Sequence, residues 1–246
     1  MFISLHIAYN SPTRPVIIRI FETRMKNTQQ QADYWDRAAA QKIFTHPLQL
    51  EPFSRLVNRQ ARILDYGCGY GRTCNELNQQ GYTDLIGVDI SAAMIARGRS
   101  LYPQLDLRHI PELNLPFAGQ SFDACLLFAV LNCVPADRDQ ITLIDELHRL
   151  LRPGGVLYLS DYLVQTDPRN RERYVRYQEK YDRYGIFEVD EGSAVMRHHD
   201  LPWLATLLSA FETIREELIE VTTMNGNPAL AIQIMAGKKP LTGKNP

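Results

Sequence analysis

The stretch Ile63-Leu64-Asp65-Tyr66-Gly67-Cys68-Gly69-Tyr70-Gly71-Arg72 decides how this chain is read. Two apolar residues make a short strand that ends at Asp65, and a glycine turn leads from it into a helix. The glycines stand at 67, 69 and 71, a G-x-G-x-G spacing that departs from the G-x-G-x-x-G of a dinucleotide turn. Glycine lets a backbone take positive φ and pass close to a ligand. Asp65 sets the sign of that ligand, because its carboxylate repels a pyrophosphate and attracts an ammonium or a sulfonium. A second carboxylate, Asp89, follows Gly71 by eighteen residues, at the end of the apolar run Leu85-Ile86-Gly87-Val88. A carboxylate in that place can accept both hydroxyls of a ribose.

Outward from the turn, strands and helices alternate. Gly81 stops the first helix near Gln80, and Ser91 caps a second that Pro103 ends after Tyr102. Leu105 to Ile110 alternates as a third strand, while Phe122 to Phe128 is apolar throughout, as suits a central strand covered on both faces. Ile141, Ile144, Leu147 and Leu151 recur at helical spacing, and Pro153-Gly154-Gly155 is expected to end that helix before a fifth strand, Val156 to Leu159. This order predicts an α/β fold, doubly wound, with a mostly parallel sheet and helices on both faces. Ligands of such sheets bind beyond the carboxyl ends of the strands, where Asp65, Asp89, Phe128 and Asp161 fall.

The segment Asp65 to Gly71 resembles motif I of the class I S-adenosylmethionine-dependent methyltransferases. Gly87-Val88-Asp89-Ile90-Ser91 with Met94 resembles their second motif. Leu115-Pro116-Phe117 with Ser121-Phe122-Asp123 is similar to their lead into strand four, and Leu150-Leu151-Arg152-Pro153-Gly154-Gly155 to the motif before strand five. The resemblance spans about residues 61–163. It implies a Rossmann-like, seven-stranded sheet with an antiparallel last strand, and S-adenosyl-L-methionine as cofactor. It further implies that Gly67, Cys68 and Gly69 pass beneath the methionine part and that Asp65 faces its ammonium. Asp89 would bind the ribose, Ile90 would pack on adenine, and the Phe128 carbonyl would accept from the amino group. Tyr34, in Tyr34-Trp35-Asp36, resembles a lid contact of the family's N-terminal helix. One departure concerns adenine: Pro111 stands where the family often has Asp, so Glu112 is left to contact adenine through its backbone N–H or its carboxylate.

The acceptor side is less explicit. Tyr174, Tyr177, Tyr181 and Tyr184 recur at helical spacing beside a stripe of Arg169, Arg173, Arg176, Lys180 and Arg183. This helix is expected either to bury its rings in the ordinary way or to wall the acceptor pocket. Phe187 to Asp200 reads as an insertion carrying His198 and His199, candidates for a general base. Adjacent histidines on an extended segment face opposite ways, so at most one enters a given pocket. Asp200 is expected to cap the following helix. The closing hairpin turns at Asn225-Gly226, and the resemblance makes Thr223 and Met224 acceptor-side candidates.

Composition bounds the rest. Lys and Arg number 27 against 28 for Asp and Glu, a net charge of -1, so the basic excess of a nucleic-acid binder is missing. The four cysteines form no C-x-x-C pair and no metal spacing fits, so reduced thiols, no metal and a cytoplasmic location are expected. The apolar run Ala124 to Val134 is too short to cross a bilayer. Residues 1–24 are expected to be a disordered extension, with Met25 a candidate start. Residues 25–240 would form the methyltransferase domain, with an N-terminal cap at 25–60 and a lid or insertion at 165–200. The expected function is methyl transfer by in-line displacement to an O, N or S atom of a small molecule. The alternatives are a non-catalytic S-adenosylmethionine-binding regulator and an RNA methyltransferase. A nicotinamide oxidoreductase is disfavoured by Asp65 and the glycine spacing.

Overall fold

A computed structural model describes residues 29–111 and 115–239. The expected extension at 1–24, the start at Met25 and the adenine contact by Glu112 lie outside these residues. Helix α1 covers residues 29–38, and α2 is Leu50–Leu56. Then come β1 Ile63–Tyr66, α3 Arg72–Gln79, β2 Leu85–Asp89, α4 Ala92–Leu101, β3 Asp106–His109 and β4 Phe122–Phe128. The chain continues with α5 Asp137–Leu150, β5 Leu151–Tyr162, α6 Pro168–Tyr181, β6 Ile186–Val189 and β7 Ala194–Arg197. It closes with α7 Leu201–Leu207, β8 Phe211–Thr222 and β9 Pro228–Lys238.

Seven strands form one sheet in the order β3-β2-β1-β4-β5-β9-β8. The pairs from β3 to β5 are all parallel, and β9 runs antiparallel to both neighbours, β5 and β8. Parallel pairing brings Tyr66, Val88 and Leu127 into register, so the chain leaves β1, β2 and β4 along a common rim. Both faces of the sheet are covered. On one, Leu143, Ile144 and Leu147 of α5 and Leu204 of α7 pack on Leu64, Leu127 and Leu159. On the other, Phe53 of α2 and Leu77 of α3 pack on Ile63, Leu126 and Tyr158. Each fully buried side chain of this size contributes about 1.5–3 kcal/mol, which makes the rim a rigid platform.

The expected caps form. Ser91 Oγ accepts from Met94 N–H at 3.1 Å, and Asp200 Oδ1 from Trp203 N–H at 2.7 Å. Two boundaries differ from the sequence expectation. Helix α5 ends at Leu150, one residue before the expected Leu151, and the ring of Pro153 bars its continuation. Strand β5 starts at once, carries Pro153-Gly154-Gly155 within it and runs past the expected Leu159 to Tyr162, which makes Asp161 its penultimate residue. The insertion at 187–200 is partly regular: β6 and β7 form a two-stranded hairpin apart from the main sheet. Helix α6 stops at Tyr181, where Asp182 takes a left-handed φ of 48°.

Candidate active site

A cleft enclosing ≈ 1450 Å³, its open mouth included, lies over the rim where β1, β2 and β4 end. The glycine turn is its floor. Gly67 N–H and Cys68 N–H both donate to the Val88 carbonyl, at 2.8 and 3.0 Å, which ties the turn to β2. Gly69 has φ +56°, and a Cβ there would overlap the Phe44 ring. The backbone thus reaches its place only with glycine at this position.

The two carboxylates differ in surroundings. Asp89 accepts from Gly69 N–H through Oδ2 and from Ser91 N–H through Oδ1, each at 2.8 Å. Burial raises its pKa, and these two donors work against the rise. Asp65 is 3% exposed, and the Cys74 thiol donates to its Oδ2 at 3.4 Å. Burial pushes its pKa up to about 7, against the lowering effects of Cys74 and Arg72. A buried carboxylate with so little neutralisation favours an arriving cation. Asp65, Gly67, Cys68, Asp89, Ile90 and Phe128 all line the cleft.

The segment after α1 roofs the turn. Asp36 Oδ1 accepts from Ser91 Oγ at 2.6 Å and from Ala93 N–H at 3.0 Å, docking α1 on the start of α4. Arg97 donates to the carbonyls of Ala39 and Lys42 and lies 4.0 Å from the Tyr70 ring centroid. Phe44 stacks on Tyr70, and Trp35 meets Phe44 edge-on. Beyond the turn the cleft continues between Trp35, Cys133, Tyr162, Met196 and Met224. These come from α1, the loop after β4, β5, β7 and the β8–β9 turn, so the compartment exists only once the insertion packs on α1. Gln30 and Gln31 secure that packing by donating to the carbonyls of Gly192 and Val195.

Several expected residues lie elsewhere. Tyr34 points away from the cleft into a cluster with Tyr174 and Phe187, and its neighbour Trp35 lines the cleft instead. Pro111 is exposed and outside the lining. His198 sits at 2.5 Å from Tyr174 Oη and stacks on Tyr162, with burial holding its pKa far below the usual value. His199 is 1% exposed, its Nε2 2.8 Å from Gln140 Nε2 and its Nδ1 3.7 Å from Asp161 Oδ1. Burial brings its pKa to about 3. Neither histidine reaches the cleft wall, so the sequence-based assignment of a general base does not fit this geometry. Asp161 has a structural part, accepting from Asn132 N–H at 3.2 Å and Tyr162 N–H at 2.8 Å, which fixes the loop after β4.

Two cleft residues were not foreseen. His46 lines the wall beside Arg72, and Arg72 donates to the His46 carbonyl. His46 had no motif to mark it; Arg72 directly follows the glycine turn, and that adjacency was the available signal.

A family model described as a methyltransferase domain matches residues 64–159. O-methyltransferase rstn1 of Aspergillus nomiae is 30% identical over 158 residues, which cover 60% of this chain and 69% of that protein. This chain belongs to the class I S-adenosylmethionine-dependent methyltransferases. As a member of that family it is a transferase that uses S-adenosyl-L-methionine. O-methyltransferase resE of Aspergillus sclerotiorum is 25% identical over 216 residues, covering 84% of this methyltransferase and 79% of that one. Among solved structures, a SAM-dependent methyltransferase from Methanosarcina mazei superposes with a TM-score of 0.73 at 25% identity, covering 77% of this chain and 98% of that one. The methyltransferase has no helix, among the described residues, long and apolar enough to cross a membrane.

Proposed function

We propose that this methyltransferase transfers the methyl group to an O, N or S atom of a small, largely apolar molecule. The observation that carries the reading is the continuation of the cleft past the glycine turn into the compartment of Trp35, Cys133, Met196 and Met224. The cleft runs on past the part faced by Asp65 and Asp89, so an acceptor would lie beside the cofactor in the same opening. The O-methyltransferase relatives agree with an oxygen acceptor.

The cofactor, when bound, supplies an electrophilic methyl on a sulfonium. Asp89 would hold the ribose hydroxyls, Ile90 would pack on adenine, and Asp65 with the Phe128 carbonyl would receive the ammonium. Gly67 and Cys68 would let the methionine part lie against the backbone, whereas Gly69, expected beside them, lies under the Phe44 ring and outside the cleft lining. The cleft wall then aligns acceptor and donor, and such positioning can supply about 7–11 kcal/mol. His46 is the imidazole of this wall, and burial beside Arg72 lowers its pKa to about 4. It is a poor base near neutrality. The acceptor therefore brings a group that is nucleophilic by itself, such as an amine, a thiol or an acidic hydroxyl.

The test is incubation with methyl-labelled S-adenosylmethionine and a metabolite extract, followed by mass spectrometry. Label in a small molecule is expected; label confined to RNA or protein would contradict the reading.

A further inference from the structure

Sulfur is concentrated at the cleft. Of the four methionines among the described residues, Met94, Met196 and Met224 line it, and so do Cys68 and Cys133. The core cluster packed under α5 and α7 is built mainly of Leu and Ile and holds one sulfur, Cys125. The compartment beyond the glycine turn therefore has a wall unlike the interior. Cys133 Sγ lies 3.9 Å from Met196 Sδ, and Trp35 packs in the same cluster, so an indole and two sulfurs adjoin. Tyr162 is held by His46, which meets it edge-on at 4.5 Å, and by His198, stacked at 5.4 Å. Met224 completes the compartment from the β8–β9 turn. A wall for an aliphatic chain can be made from Leu and Ile, as the core is. Polarisable sulfur gains most against an aromatic ring, and Trp and Tyr add ring-to-ring contact.

The charge of the lining narrows the ligand further. Asp65, Asp89 and Asp139 line the cleft, and Arg72 is the one permanent cation there among the described residues. Its guanidinium is engaged with Glu76 Oε1 at 2.6 Å and with the His46 carbonyl. His46 is neutral at pH 7, since burial lowers its pKa to about 4. The sulfonium of the cofactor is the remaining positive charge, and the three carboxylates outnumber it. An acceptor carrying its own carboxylate or phosphate would give up its water and gain no cation in return.

We propose that the methyl acceptor is an uncharged aromatic compound whose ring lies against Trp35 and the sulfurs of Cys133, Met196 and Met224. These side chains select a flat, polarisable ring over a saturated one of the same skeleton, and the acidic lining rejects the same ring bearing a carboxylate. This rests on the acceptor compartment given under Proposed function and narrows its small, largely apolar molecule to one class.

The test titrates the protein, saturated with sinefungin so that a cation stands in for the sulfonium, with three matched pairs of probes. These are phenol and 2-naphthol, their saturated counterparts cyclohexanol and decahydro-2-naphthol, and their anionic counterparts benzoate and 2-naphthoate. NMR of methyl-labelled methionine gives both affinity and place. The better-fitting phenol should bind about fivefold or more tighter than its saturated counterpart and about tenfold or more tighter than its anion. Ring currents should shift the Met196 and Met224 methyl signals and leave that of Met235, buried in the core, in place. Met196→Leu with Met224→Leu keeps the volume and removes the sulfurs, so the preference for the aromatic ring should fall to about twofold or less. Sinefungin affinity within about twofold of wild type certifies that this variant is folded. Should it not fold, Met224→Leu alone, on a half-buried turn, should lower the same preference. Saturated rings bound as tightly as aromatic ones, anions bound most tightly, an undiminished preference in the Leu variant, or methyl signals that stay put would overturn the proposal. In those cases the compartment still takes a small molecule; failure of every probe to bind would refute the compartment as the acceptor site as well.

Discussion

The Phe44 ring occupies the space where a side chain on Gly69 would begin, and it stacks on Tyr70 at 5.2 Å with the planes 9° apart. The roof over the cleft is therefore seated on a missing methyl group. Gly69→Ala must either strain a backbone at φ +56° or expel the ring. A strained residue of this kind costs about 1–3 kcal/mol, so urea denaturation should show a loss in that range and cofactor affinity should fall with it. An unchanged midpoint would mean that the segment around Phe44 is not docked on the turn.

Asp65 makes cofactor affinity depend on pH. Its pKa in the free protein is about 7, and an ammonium partner favours the ionised form. Below pH 7 the site holds a proton that must leave on binding, so affinity rises with pH. From pH 5.5 to 7.0 the ionised fraction grows by about tenfold or a little more, and the dissociation constant should fall to match. Asp65→Asn should bind more weakly and show a nearly flat profile. The same shift has the opposite sign for the free protein. Folding raises the pKa above its ordinary value of 3.8, so the folded state binds the extra proton and this group's contribution to stability declines as pH rises from about 4 to 7.

His199 should matter for folding and not for the cleft. It is buried against Gln140 and Asp161, so His199→Leu should cost about 1–3 kcal/mol through the lost polar contacts. Its S-adenosylmethionine affinity should stay within about twofold of wild type. Calorimetry and thermal unfolding on one preparation check both; a stable variant with weakened cofactor binding would reverse the assignment.

Asp89→Ala removes the acceptor of two backbone N–H groups and the expected ribose contact. Hydrogen bonds to a charged group are worth about 1.5–3 kcal/mol, so the dissociation constant should rise about tenfold or more. Unchanged affinity would remove Asp89 from the ribose.

The parallel sheet explains why so much of the cofactor side could be read from sequence. Strand periodicity places Asp65, Asp89 and Phe128 at strand ends, and parallel register then carries them to one rim. The resemblance pointed to Thr223 and Met224 beside the β8–β9 turn, and of the two Met224 lines the cleft. What stayed hidden depends on tertiary contact. Tyr34 and Trp35 are neighbours on a helix and point about 100° apart, and only packing against the insertion decides that Trp35 faces the cleft. His198 and His199 have the right chemistry for a base, but burial among Tyr174, Gln140 and Asp161 removes them. His46 Nδ1 lies 2.8 Å from the hydroxyl of Ser160, far along the chain, and no local pattern announces such a partnership.

A co-crystal structure with S-adenosylhomocysteine tests the central claim most directly. The ribose hydroxyls should lie within hydrogen-bonding distance of Asp89, the ammonium should lie beside Asp65, and the thioether should point towards Trp35 and Met196. A nucleoside bound elsewhere, or one turned so that its amino-acid end leaves Asp65, would contradict the account.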